Sequence, residues 1–326
     1  MINGFINLYK PAEWTSHDCV ARVRRLLNTK KVGHSGTLDP LATGVLPLAV
    51  GKATRLLQYL PAGKAYRAVI RFGLKTTTDD LEGEVLQQQS ASHLQRQQVE
   101  AMFSQFVGSL TQIPPMYSAV QVDGKRLYDL ARQGKAVEVP SRQVMIHQLH
   151  SQKWQAGDQP ELTVDVVCGP GTYIRALARD MGETMGTGAV LVGLSRTHSN
   201  GFDVDNSVTL EALEAALAAE AFVPVAAGSV MQHLEAIALP SELAHRWCLG
   251  QKLAIDEVAP YLSIERMSEL NNVPLRVIDA ATQDFLGIGE VRMGTPTGQL
   301  ALNEAALTDA ASQSKVFAAK RVFATL

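Results

Sequence analysis

The chain has 326 residues, 46% of them hydrophobic and 19% charged, with a net charge of −2. That is enough apolar sequence for a sizeable core in about two domains. It excludes a disordered chain, and no stretch approaches the ~18 apolar residues that a membrane-spanning helix needs. The three cysteines (Cys19, Cys168 and Cys248) are far apart and show neither metal nor disulfide spacing, which suits a reducing cytoplasm. Met1–Tyr9 reads as too short and polar for a signal peptide. The charge is segregated. Residues 1 to 35 carry six Lys or Arg against Glu13 and Asp18, whereas Thr197 to His245 holds seven acids and no Lys or Arg. One end can face a polyanion and another cannot.

Phe5–Tyr9 is predicted as a first strand, ended by Lys10-Pro11. Thr15 or Ser16 can cap a helix running to about Asn28, with Val20, Val23, Leu26 and Leu27 on one face. Arg22, Arg24 and Arg25 project elsewhere, and Lys30-Lys31 extends the cluster into the next loop. This is a solvated basic face or a phosphate-contacting one. The loop Gly33-His34-Ser35-Gly36-Thr37-Leu38-Asp39-Pro40-Leu41-Ala42-Thr43-Gly44 has no helical or strand period, and Asp39 is its only acid. Pro40 biases Asp39 away from the helical region, so the carboxylate is expected to face outward. Val45–Val50 reads as a buried strand, and Ala53–Leu60 as a short helix.

Lys64–Phe72 alternates, which puts Tyr66, Ala68, Ile70 and Phe72 on one side of a strand. Thr76–Gly83 is a polar, acidic turn. His93–Val107 reads as a helix with Met102, Phe103 and Phe106 in the core. Ile113–Val120 is extended, and residues from Gly124 turn into a short helix ending near Gly134. Arg142–Trp154 and Glu161–Cys168 read as a hairpin. Thr172 fits the cap of a helix that reaches about Met185 and stops at Gly186. Ala189–Thr197 is another strand. Strands and helices mix without strict alternation, which predicts an α+β fold on a mixed, largely antiparallel central sheet with flanking helices. Ser207–Glu220 is mostly one acidic helix. Short strand-like runs at Leu275–Val277, Leu286–Val291 and Leu300–Leu302 predict a small β-rich second domain with a basic tail. The division is placed at 1–238 and 239–326.

The Asp39 loop, with Tyr9-Lys10-Pro11 and Thr15-Ser16-His17-Asp18 before it, resembles the TruB family of bacterial tRNA pseudouridine-55 synthases. The likeness continues through Ala65-Tyr66-Arg67, Thr76–Val85, Pro114–Arg132, Gly171–Asp180 and Leu194-Ser195-Arg196-Thr197, and so covers about the first 200 residues. It implies the pseudouridine synthase fold, a PUA-like C-terminal domain, and isomerisation of a T-loop uridine of tRNA in the cytoplasm, without cofactor or metal. It also implies a monomer with no protein partner and no membrane. By position, Asp39 matches the nucleophile, Tyr66 the tyrosine stacked on the uracil, and Arg175 the arginine paired with the carboxylate. His34, Tyr173 and Leu194 match residues lining the nucleotide pocket, and Lys10 a supporting lysine nearby. Arg22, Arg24, Arg25, Lys30 and Lys31 would meet the RNA backbone. Pro170 stands where the family usually has Lys, Ser195 where Arg is common, and Gly63 where Asp is usual.

The chemistry asks for these residue types. The N1–C1′ bond breaks, the uracil turns, and C5 joins C1′. A carboxylate serves by adding to C6, by attacking C1′ or by taking the 2′ proton, and an Arg partner offsets the cost of keeping it charged in a dry pocket. A tyrosine face stacks on a base, worth ~1–3 kcal/mol. His34 would fill the space left by a flipped base. A glycoside hydrolase needs a second carboxylate at a set separation, and the Asp39 loop has none. A non-catalytic tRNA-binding or folding protein would use the same basic surface without requiring Asp39. The bacterial-like spacing weighs against a guide-RNA-dependent enzyme.

Overall fold

The computed structural model describes residues 2–118, 139–262, 271–293 and 315–324, and the backbone of 121–122 and 125–126. The helix expected between Gly124 and Gly134 lies largely outside the described residues, as does the run at Leu300–Leu302. At the expected start of that helix, Lys125–Arg126 instead pairs as a short strand with Gln121–Val122.

The central sheet is built as follows. Strand β1 (Gly4–Lys10) is followed by helix α1 (Ser16–Leu26), β2 (Val32–His34) and β3 (Thr43–Val50). A 3-10 helix at Gly51–Tyr59 then leads to β4 (Lys64–Phe72). After β5 (Leu74–Thr76) and β6 (Val85–Gln88) come α2 (Arg96–Ala101) and β7 (Gly108–Gln112). With Gln121–Val122 and Lys125–Arg126 as β8 and β9, the rest are β10 (Arg142–Gln155), β11 (Glu161–Cys168), α3 (Ile174–Thr184), β12 (Ala189–Ser199) and β13 (Phe202–Asp203). The strand order is β1-β3-β12-β4-β11-β10-β7, with β2 added on β3 and β13 on β12. All pairs are antiparallel except β12 with β3. This is the expected α+β architecture on a mixed sheet.

Three expectations change in detail. The loop before β3 is shorter than its composition suggests: Gly33 and His34 pair with Ala49 and Leu48, and β3 begins at Thr43 rather than Val45. Helix α2 starts only at Arg96, because Ala91–Leu94 is a turn and the Gln95 amide, at the cap position, donates to the Gln98 side chain at 2.9 Å. Beyond Ala101 the chain tightens into a 3-10 turn. Thr172 is not the cap of α3. Its hydroxyl turns back to the Gly169 carbonyl at 3.1 Å, and Tyr173 takes the cap position.

β3 is apolar along its length because both of its faces are covered. Leu46, Leu48 and Val50 pack with Val20 and Val23 of α1. Val45 and Ala49 pack with Ala53 and Leu56 of the 3-10 helix. A larger core joins Tyr66, Ala68, Ile70 and Phe72 of β4 to Ile174, Leu177, Ala178 and Met181 of α3. At Gly44 a Cβ would sit 2.3 Å from the Arg196 carbonyl, so only glycine lets β12 close on β3 there. The free edge of β1 is covered by chain from Val208 and Val225.

Helix α4 (Leu210–Ala218), capped by Thr209, packs on α1, and Arg22 of α1 pairs with Glu214. A second, five-stranded sheet follows. It comprises β14 (Ala236–Leu239), β15 (Leu253–Ala254), β16 (Leu275–Asp279), β17 (Phe285–Met293) and β18 (Lys315–Val322), in the order β14-β16-β17-β18-β15. Its core holds Trp247 stacked on Phe317. The basic tail is thus a strand of this sheet. Since β14 starts at Ala236, a division at 238/239 cuts through a strand, and the second sheet begins a few residues earlier. Phe285, Ile288 and Phe323 reach into the cluster around Phe5 and Leu56, so the two sheets share an apolar boundary.

Candidate active site

The Asp39 loop is held from three directions before Asp39 meets any partner. Buried Ser16, at the start of α1, accepts from the Leu38 amide at 2.8 Å and donates to the Leu38 carbonyl at 3.2 Å. Fully buried Lys10 donates to the carbonyls of Pro11 (2.8 Å), Trp14 (2.5 Å) and Pro40 (3.1 Å), and the Glu13 amide shares the Pro40 carbonyl. Arg196 of β12, also fully buried, donates to the carbonyls of Gly36 (3.1 Å), Thr37 (3.5 Å) and Val45 (2.7 Å). Three buried side chains from three elements thereby fix the backbone on both sides of Asp39.

Held in this way, Asp39 presents Oδ2 to Nε of Arg175 at 3.0 Å; the aspartate side chain is 37% exposed and the arginine 6%. Arg175, in the first turn of α3, also reaches Asp80 Oδ2 at 3.4 Å and donates to the carbonyls of Thr78 (3.2 Å) and Tyr117 (2.9 Å). Buried Asp80 accepts from the Thr78 hydroxyl and the Glu82 amide. The polar, acidic turn at 76–83 is therefore part of the site. Beside it, Arg179 pairs with Asp79 and Asp180.

Asp39, Tyr66, Tyr173, Arg175 and Leu194 line one cavity of about 240 Å³, together with Thr37, Leu38, Lys64 and Gly171–Ile174. Its size is below the range of ~300–1,000 Å³ that holds drug-sized ligands. Tyr66 is buried, and burial pushes its phenol pKa up while Arg196, hydrogen-bonded to it, acts the other way. The Tyr173 amide is fixed by Gln112 Oε1 at 2.8 Å, and Arg142 lies over the Tyr173 ring at 5.5 Å.

The remaining expected residues are nearby rather than in the cavity wall. His34 sits on β2, where Nδ1 accepts from the Gly36 amide at 3.2 Å; burial, then Arg196, lowers its pKa and keeps the ring neutral. Lys10 touches only carbonyls, and burial lowers its pKa. On the basic surface, Arg22 is engaged by Glu214 and Arg24 donates to the Val32 carbonyl, while Arg25, Lys30 and Lys31 are exposed. Arg196, Asp80 and Ser16 are support residues, and Lys64 a wall residue, that sequence reasoning misses. Their one signal is an uncompensated charge or hydroxyl in a segment that packs inward.

Residues 24–174 match the family model described as TruB family pseudouridylate synthase (N terminal domain), and residues 175–244 match the tRNA pseudouridylate synthase B C-terminal domain. The class these models define is the pseudouridylate synthases, which are isomerases. The chain belongs to the TruB family. It is 52% identical to the tRNA pseudouridine synthase B of Trichormus variabilis, over 92% of this chain and 98% of that protein. Against the tRNA pseudouridine synthase B of Synechocystis sp. it is 56% identical, over 78% and 86%. Among solved structures, a chain of a Cbf5-Nop10-Gar1 complex superposes with a TM-score of 0.65 at 25% identity, covering 88% of this chain and 78% of that one. A chain of an H/ACA RNP bound to a substrate RNA containing 2′-deoxyuridine shares the fold, with a TM-score of 0.67 at 21% identity over 99% and 85%.

Proposed function

We propose that this enzyme isomerises the T-loop uridine of tRNA to pseudouridine, with the first sheet as catalytic domain and the second as a PUA-like RNA-binding domain. The observation that carries the reading is the Asp39–Arg175 pair, 3.0 Å apart at the cavity lined by Tyr66. The reaction is internally balanced: N1–C1′ breaks, C5–C1′ forms, and the proton lost from C5 is matched by one gained at N1. Asp39 is the nucleophile, and Arg175 pairs with it and aims it. Tyr66 stacks on the target uracil. Tyr173 and Leu194 complete the wall, and His34 takes the place of the extruded base. Arg25, Lys30 and Lys31 supply the salt-sensitive attraction to tRNA phosphates. No cofactor enters, and a monomer acting in the cytoplasm suffices.

Incubation of the pure protein with unmodified tRNA transcript, followed by chemical mapping of pseudouridine, tests this. One modified site in the T-loop is expected. Tight binding without modification would instead identify a tRNA-binding protein on the same basic surface, and modification elsewhere would overturn the T-loop assignment.

No helix among the described residues is long and apolar enough to cross a membrane.

A further inference from the structure

One part of the cavity wall has a charge balance that the isomerisation steps leave unused. Lys64 is the first residue of β4, two positions before Tyr66, and it lines the cavity. Its ammonium lies against Gly36, where a Cβ would sit 3.0 Å from Nζ. The Asp39 loop thus makes room for this cation by having no side chain at residue 36. The charged group that acts on Lys64 most strongly is Arg196, another cation. Among the described residues neither has a carboxylate partner. Arg196 is occupied by three backbone carbonyls and the Tyr66 hydroxyl, and the residue before Lys64 is Gly63. His34, which also borders Arg196, is neutral. Burial and Arg196 both lower the pKa of Lys64. Asp39 does not compensate it, being held by Arg175.

Two cations beside one aromatic wall, with no anion between them, are unfavourable in the empty protein and are relieved by an arriving anion. A lysine ammonium is a point-charge ligand for phosphate. A nucleotide whose base lies on Tyr66 brings its own phosphates to this wall. We propose that Lys64 forms an anion subsite of the cavity and binds one of the two phosphodiester groups flanking the target nucleotide. The interaction exists only once the base has left its stack, so it offsets part of the few kcal/mol that extrusion costs. The assignment rests on the proposed uridine isomerisation for the identity of the nucleotide.

The test uses the full chain and a T-arm stem–loop RNA, native or with a neutral methylphosphonate at the linkage 5′ of the target uridine, 3′ of it, or remote in the stem. Affinities are measured for the wild type, Lys64→Met and Lys64→Arg. In the wild type, one flanking methylphosphonate should weaken binding about tenfold more than the remote one. In Lys64→Met that difference should shrink to less than about twofold, and Lys64→Arg should restore most of it. The two changes thus report one interaction. Equal losses from both flanking linkages and the remote one, or a flanking loss unchanged in Lys64→Met, would overturn the subsite. The comparison within the wild type requires no variant to fold. Turnover of the native stem–loop by the wild type is read separately: its absence would count against the isomerisation, while the binding cycle would still decide the role of Lys64.

Discussion

Arg175 and Arg196 are both buried and both end beside the Asp39 loop, yet they face opposite chemistry. Arg175 meets two carboxylates, Asp39 and Asp80. Arg196 meets backbone carbonyls and the Tyr66 hydroxyl. The first pairs with the loop's acid, and the second holds the loop's backbone in place. A buried guanidinium with anionic partners tunes reactivity, whereas one spent on carbonyls is a brace whose charge is left over for its surroundings. The leftover charge explains why Lys64 and His34, both near Arg196, have lowered pKa values in addition to the effect of burial.

Four measurements break or sharpen that contrast. The largest effect belongs to Asp39→Asn, which should lower kcat by at least about 10³-fold while leaving tRNA affinity within about threefold; near-normal turnover would remove Asp39 from the chemistry. Next comes the pair Arg175→Gln and Arg196→Gln. Each should destabilise the fold by roughly 2–5 kcal/mol, read by denaturant or thermal unfolding. Adding Asp80→Asn should recover part of the loss in Arg175→Gln, because the partner it strands is a carboxylate. The same addition should leave the loss in Arg196→Gln unchanged, because its abandoned partners are carbonyls. Equal recovery in both would erase the distinction between the two arginines. Third, reversing charge at Arg25, Lys30 and Lys31 should lower the salt dependence of binding by about 0.7–0.9 in slope for each phosphate no longer neutralised. Arg22→Glu should change the slope far less, since Glu214 already engages Arg22. The smallest effect is that of His34. Its folded pKa is lowered, so the unfolded chain binds more protons below pH 6.5. Stability is therefore fully present above 6.5 and is lost as pH falls through that value. His34→Gln should flatten this part of the stability–pH curve.

Local signals carried much of the fold. The alternation in β4, the capping pattern before α1 and the apolar run of β3 each reflect short-range burial or hydrogen bonding, and each appears where expected. The Thr172 cap failed because its hydroxyl is spent on the Gly169 carbonyl, while Gln112, distant in sequence, holds the Tyr173 amide. The site was legible through Asp39, Tyr66, Tyr173, Arg175 and Leu194, which meet at one cavity. Its supports were not. Ser16 reads locally as a helix start, Asp80 as a turn residue and Arg196 as one charge in a polar strand end. Their roles depend on partners 22, 95 and 160 positions away in the chain. Even the border between the two matched family models, at 174/175, separates Asp39 from the arginine it touches.

The place of β12 in the central sheet has a consequence for synthesis. This strand, residues 189–199, inserts between β3 and β4, which are made more than a hundred residues earlier, and it brings Arg196 to the Asp39 loop. Until β12 emerges from the ribosome, the sheet is split at its middle and the loop lacks one of its three anchors. The second sheet repeats the pattern: β18 lies between β17 and β15, both earlier in the chain. Both sheets close from the inside, with a later strand inserted between two earlier ones, so during synthesis the earlier strands wait with unpaired edges.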